Sequence, residues 1–272
     1  MTFSWPRVFA LARKDASELM RNPGAIVPPI LMVFASLLPL FLVIFIVPMV
    51  VGETLEQSGE FAEEAANAVG RIPELAGLSG NALIQTFLFH QFSLLLLLVP
   101  IVSATALATH AVIGEKQSKA LEPLLATPIS TIELLAAKTL TPFVFALGLT
   151  WAAVALEVIG AVAIGEPGMW HSIVGPRLFL LFGVLGPLVE LASLQVSVIV
   201  SSRTSDPRSA QQLTALLILP VTVVFVAQLM GLLIVGPRAI LLGAFGCLVL
   251  NIGLLWLGVR VFQRESILTR WR

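Results

Sequence analysis

LIQTFLFHQFSLLLLLVPIVSATALATHAV, from Leu83 to Val112, runs for 30 residues without an Asp, Glu, Lys or Arg. The hydrocarbon core of a bilayer is about 30 Å thick and a helix rises about 1.5 Å per residue, so about 20 apolar residues cross it. This stretch is long enough with a margin. Five others meet the same requirement: Pro28–Val51, Thr139–Ile164, Gly175–Val200, Leu213–Val235 and Ala239–Arg260. The fold class is therefore all-α, a polytopic membrane protein with six transmembrane helices at 28–51, 83–112, 139–164, 175–200, 213–235 and 239–260. These hold more than half of the 272 residues, which leaves no room for a soluble domain of ordinary size, so 1–272 reads as one transmembrane domain. The first span exceeds a signal-peptide core and lacks a small-residue cleavage pattern, so it reads as retained. Only Gly236-Pro237-Arg238 separates the last two spans, which predicts a tight antiparallel hairpin.

The composition excludes other classes. With 57% hydrophobic and 12% charged residues and a mean hydropathy of +0.97, there is too little polar surface for a soluble enzyme. The net charge is zero, so no bulk attraction to nucleic acid exists. A lone Cys247 and three His offer no disulfide and no metal cluster.

Cations set the orientation, because Lys and Arg accumulate in cytoplasmic loops. With the N-terminus inside, 13 of the 16 cations fall on the inner side, and only Arg71, Arg177 and Arg238 fall outside. Both termini are expected in the cytoplasm, in a multi-pass protein of the plasma (cell inner) membrane. Residues 1–27 are expected to hold an amphipathic interfacial helix: Trp5, Phe9, Ala12, Ala16 and Leu19 recur at helical spacing opposite Arg7, Lys14, Glu18 and Arg21. It reads as a membrane anchor, with contact to a cytoplasmic partner as the alternative. In the tail, Arg264, Arg270 and Arg272 alternate with Ile267, Leu268 and Trp271, a second anchor.

Residues 52–82 form an external loop with six glutamates, Glu53, Glu56, Glu60, Glu63, Glu64 and Glu74, against one cation, Arg71. A solvated acidic loop is the favoured reading. Leu55, Ala62, Ala65 and Val69 lie at helical spacing, so a short helix over the external mouth stands beside it.

The cytoplasmic loop 113–138 carries the most information. Leu121, Leu124 and Leu125 form an apolar edge beside Glu115, Lys119 and Glu122; Pro128 ends that piece, and Ser130 with Glu133 has the capping-box spacing that starts the next helix. An inner loop has no use for a leucine cluster unless lipid or a second protein covers it.

At this loop the chain resembles the permease subunits of ATP-binding-cassette exporters, the type-2 family. The resemblance rests on Glu115, Lys116, Leu121, Glu122, Leu124, Leu125, Thr127, Pro128 and Lys138, which match that family's pattern between its second and third spans. Arg13, Lys14, Glu18, Arg21 and Pro23 resemble its N-terminal helix, and Ser202, Arg203, Asp206, Pro207 and Arg208 its second inner loop. Ala120 departs from the Gly-Thr that many members carry before Leu-Glu. The resemblance implies a permease that pairs with a second copy, alike or different, and with ABC ATP-binding subunits that carry ATP and Mg. The loop Glu115–Ser130 would dock on the ATPase, and transport would run outward. The sequence has no G-x-x-x-x-G-K-[ST] loop, so this chain is expected to bind no cofactor and to hydrolyse no ATP itself.

Ionisable groups inside the bilayer are costly and need a reason. Glu190, with Ser193, Ser197 and Ser201 on one helical stripe, Glu157, and His90 beside Gln91 are candidates for a translocation path, a Glu paired with His90 being the sharper arrangement. Interhelical hydrogen bonds that only fix packing are the equal alternative. A nucleotide-free carrier or channel using these residues is the second functional reading. Pro100, Pro142, Pro187 and Pro220 are expected kink sites.

Overall fold

Four irregular turns in the apolar helices each precede a proline. A computed structural model describes residues 4–52, 54–59, 61–117, 131–167, 169–204 and 206–261. It contains six helices long and apolar enough to cross a membrane: Pro23–Val50, Gly80–Gly114, Ala136–Ile164, Pro176–Arg203, Arg208–Leu229 and Pro237–Gly258, numbered spans 1 to 6. Every regular element among the described residues is helical. Span 1 holds a π-turn at Leu42–Ile46 just before Pro48, and span 2 a 3-10 turn at Ser93–Leu97 before Pro100. Span 4 holds a π-turn at Leu180–Leu185 before Pro187, and span 5 a 3-10 turn at Ala215–Leu217 before Pro220. The reason is common to all four: proline has no N–H for the carbonyl one turn back and its ring crowds that carbonyl, so the preceding turn widens or tightens. Pro142 differs and sits in the regular helix Thr131–Ile164, as Pro28, Pro29 and Pro39 do in Pro23–Phe41. Its turn is buttressed from outside, where the Thr141 hydroxyl donates to the Ala12 carbonyl at 2.8 Å.

Several helix ends lie away from the expected limits, two of them with a visible local cause. Span 1 opens at Pro23 rather than Pro28, because the Asn22 side chain accepts from Gly24 N at 3.0 Å and Pro23 fits the first helical turn. Span 5 closes at Leu229 rather than Val235. Gly231 adopts φ +69°, and the Gly231 and Leu232 amides donate to the carbonyls of Gln228 (3.1 Å) and Ala227 (3.0 Å), which ends the helix.

Span 2 is the hub and packs against spans 1, 3, 4 and 5, while span 6 rests on span 4. Phe89 of span 2 meets Phe41 and Phe45 of span 1 at ring separations of 6.5 and 6.4 Å, and Phe92 meets Phe225 of span 5 at 5.8 Å. Further along, Ala104 and Ala108 let span 2 close on Leu194 and Val198 of span 4, the small-residue contact that membrane helices favour. Gly160 of span 3 lies against Phe41, so that a Cβ there would overlap the ring. Gly160→Leu should therefore wedge spans 1 and 3 apart, at a cost of about 1–3 kcal/mol, read as a lower melting temperature of the purified protein; an unchanged melt would show that Phe41 swings aside freely.

Among the described residues, the segment between spans 1 and 2 folds back over the bundle as a cap. Helices Leu55–Ser58 and Ala62–Ala68 and the 3-10 turn Pro73–Leu75 bury Leu55, Ala65, Ala68, Ile72 and Leu75 in the main core. Glu63 and Glu64 face outward, in keeping with a solvated acidic face, whereas Glu74 turns inward.

The N-terminal helix Trp5–Leu19 buries Val8, Leu11, Ala12, Asp15 and Leu19. Of the apolar face read from the sequence, Ala12 and Leu19 are buried against protein, whereas Trp5 and Phe9 are each 58% exposed. The apolar arc is wider than one interface: one edge packs on span 3, and the other, with Trp5, Phe9 and Met20, stays uncovered by protein.

Candidate functional site

Two polar assemblies lie at opposite ends of the bundle. The first joins the N-terminal helix to the start of span 3. Ser4 N donates to Glu133 Oε1 at 2.7 Å, and Arg7 stands 4.0 Å from the same oxygen. Lys138 Nζ donates to Asp15 Oδ2 at 2.8 Å with both side chains buried, and Val8 and Leu11 pack on Ala136, Ala137 and Leu140. Burial pushes the Asp15 carboxyl up from its ordinary value of 3.8, while the Lys138 ammonium pulls the other way. The pair joins the N-terminal helix to the start of span 3, and removing either partner would leave a buried charge uncompensated.

The second assembly surrounds Arg177. Counted as an outer-loop cation, it is instead 1% exposed at the head of span 4. Its Nε donates to the Val235 carbonyl at 3.0 Å, and one terminal nitrogen donates to the His90 carbonyl at 2.8 Å. The other stands 2.8 Å from His90 Nδ1, and its backbone N–H donates to Glu74 Oε1 at 3.3 Å. The guanidinium and its backbone N–H thus tie span 2, the segment after span 5 and the segment between spans 1 and 2 to span 4. The early end of span 5 is what puts the Val235 carbonyl outside a helix and within reach.

The candidate path residues are all buried, but they do not form one constellation. His90 turns to Arg177 rather than to a carboxylate. Glu157 accepts from the Ser93 hydroxyl at 2.9 Å in the same region. Glu190 lies against the Leu147 backbone, ten residues from Glu157 along span 3 and so about 15 Å away. Ser193 and Ser197 turn their hydroxyls back to the carbonyls of Val189 (2.8 Å) and Ser193 (2.7 Å). Polar pairs that the sequence did not reveal also bind helices together. Gln91 bonds Gln228, and Gln195 Oε1's companion Nε2 donates to Asn251 Oδ1 at 3.0 Å, while Asn251 Nδ2 reaches the Leu188 carbonyl at 2.8 Å. Among the described residues no group of three or more His, Cys, Asp or Glu is placed to hold a metal.

A sequence profile described as ABC-2 family transporter protein matches residues 9–241, from the N-terminal helix to the start of span 6. The chain belongs to the ABC-2 transporter family. Comparison with curated proteins found no match. As an ABC-2 permease it is a multi-pass membrane subunit of a transporter. Of the loop residues that carried the resemblance, Glu115 and Lys116 fall within the helix Leu98–Gln117, and Lys138 forms the ion pair with Asp15. Leu121, Glu122, Leu124, Leu125, Thr127 and Pro128 lie outside the described residues. In the connection between spans 4 and 5 of this permease, Asp206 caps the helix Pro207–Thr214 by accepting from Ser209 N at 3.0 Å.

Proposed function

We propose that this ABC-2 permease moves its substrate out of the cytoplasm, driven by ATP hydrolysis on a separate ATP-binding subunit that docks on residues 113–138, with both termini cytoplasmic and a second permease copy alongside. The observation that carries the proposal is the buried Lys138–Asp15 pair at the loop's exit. A force applied to the loop is delivered both to span 3 and to the N-terminal helix, which is the coupling that an external motor requires. ATP-driven closure of the ATPase pair would then shift the permeases between two packed arrangements. Large apolar side chains point away from the bundle on spans 1, 5 and 6, among them Phe34, Leu38, Leu219, Val223, Leu242 and Phe245, and suit contact with lipid and with the second copy.

The permease should co-purify with an ATP-binding subunit, and the double substitution Leu124→Asp with Leu125→Asp should abolish that association, because two charges in an apolar docking edge are strongly unfavourable. Association that survives the substitution would count against docking at this loop. Substrate transport by vesicles that contain the permease and no ATPase would favour a nucleotide-free carrier instead.

A further inference from the structure

A cavity of about 240 Å³ opens between the N-terminal helix, the head of span 1 and the tail of span 2. Asp15, Glu18, Asn22, His110, Ala111 and Gly114 line it. We infer that this cavity binds a primary ammonium group, presented by an aminophospholipid head group or by a free amine.

Asp15 carries the argument. Its side chain is 3% exposed; Oδ2 is held by Lys138, and Oδ1 has no hydrogen-bond partner among the described residues. A buried carboxylate oxygen without a donor leaves a desolvation cost uncompensated, and an N–H entering the cavity removes it. Glu18 supplies a second carboxylate. Its i,i+4 contact with Lys14 at 3.3 Å is exposed, a kind of pair that holds its partners weakly. The Asn22 amide oxygen is a further acceptor, and it already faces Gly24 N. The His110 ring forms the far wall and is held close to Gly24, where a Cβ would come within 3.3 Å of it.

This lining accepts hydrogen bonds from a ligand and repels anions, so a phosphate is excluded and a donor-bearing cation is favoured. A metal ion is not suited, since the described residues hold no metal-ligating group of three. The volume is several times that of a water molecule, enough for an ethylammonium moiety and too small for a folded partner. Trp5, Phe9 and Met20 on the same helix are exposed and apolar, which sets the cavity at head-group depth once lipid covers them. Arg13 and Lys14 on that helix and Arg21 just beyond it are all exposed and suit the phosphate of the same lipid. The inference rests on the reading that the six helices cross a bilayer. It does not depend on the ATPase or on the direction of transport.

The test uses the full chain in detergent, with melting temperature as the readout. It is titrated with phosphatidylethanolamine and with phosphatidylcholine of the same acyl chains, which lacks N–H donors, and separately with free ethanolamine and choline. Phosphatidylethanolamine should stabilise the protein and phosphatidylcholine should not. Glu18→Gln should weaken the apparent affinity about tenfold, and Ala111→Phe, which fills the cavity, should abolish it. Both variants leave the Lys138–Asp15 pair in place. Stabilisation by free ethanolamine as well, lost in the same variants, assigns the site to the amine itself; stabilisation by the lipid alone assigns it to the head group. Equal responses to the two lipids, no response to any ligand, or a response unchanged in either variant would overturn the inference. Because no ATPase is present, failure here leaves the permease reading standing, and loss of ATPase docking leaves this one standing.

Discussion

Arg177→Met should be the most damaging single substitution in the transmembrane region, lowering stability by about 3–5 kcal/mol. The loss has two parts. The carbonyls of His90 and Val235 lose their donors in a dry interior, and Glu74 and Glu157 lose the buried cation beside them. Arg177→Lys should rescue little, because a single ammonium cannot reach the three acceptors that the planar guanidinium fork spans. The measurement is the thermal melt of the purified protein, with recovery of monodisperse material as a second readout. A melt within a degree of the parent for either variant would remove Arg177 from its role as the tie at that end.

Lys138→Met should cost a similar amount, about 3–5 kcal/mol, because it leaves the Asp15 carboxylate buried without its partner. The double substitution Asp15→Leu with Lys138→Met should recover most of the loss, since a buried pair replaced by apolar groups is often neutral. The pH dependence gives this prediction a sign. Burial already raises the folded-state pKa of Asp15, and removing Lys138 takes away the main opposing influence. A group whose pKa is raised on folding contributes its stability below the unfolded value and loses it as pH rises through the folded one. The Lys138→Met deficit against the parent should therefore shrink as the pH is lowered towards 4 and widen towards neutrality. A deficit that is flat with pH would mean that Asp15 is not the group left exposed to the change. If coupling runs through this pair, the double variant should also restore folding without restoring ATP-driven transport, which separates its structural role from its mechanical one.

How much of this could be read from residues alone differs element by element. Six spans follow from length and apolarity, because the bilayer imposes a threshold that a stretch either meets or misses. The irregular turns were legible at Pro100, Pro187 and Pro220, since the missing N–H is a local property of the residue. The N-terminal helix was legible as a helix, but its buried face was not. Val8 and Leu11 sit on one flank of a broad apolar arc and Trp5 and Phe9 on the other, and periodicity does not say which flank meets protein. The burial of Arg177 was not legible for a related reason. A cation that follows Gly175-Pro176 resembles a loop residue, and its burial depends on a carbonyl from the segment after span 5, far away in sequence. The pairs Gln91–Gln228 and Gln195–Asn251 are likewise products of helix arrangement, and no spacing in the chain announces them.

The irregular turns have a mechanical consequence. Those at Leu42–Ile46, Ser93–Leu97 and Leu180–Leu185 gather toward the Arg177 end, whereas the helix Thr131–Ile164 runs unbroken from the loop end across the bundle. Turns that depart from the regular α-helical hydrogen bonding are points of easier bending, so three joints cluster at the Arg177 end beside a continuous helix, with a fourth at Ala215–Leu217 near the start of span 5. A displacement applied at the start of that helix would be conveyed along it and taken up at the turns near Arg177.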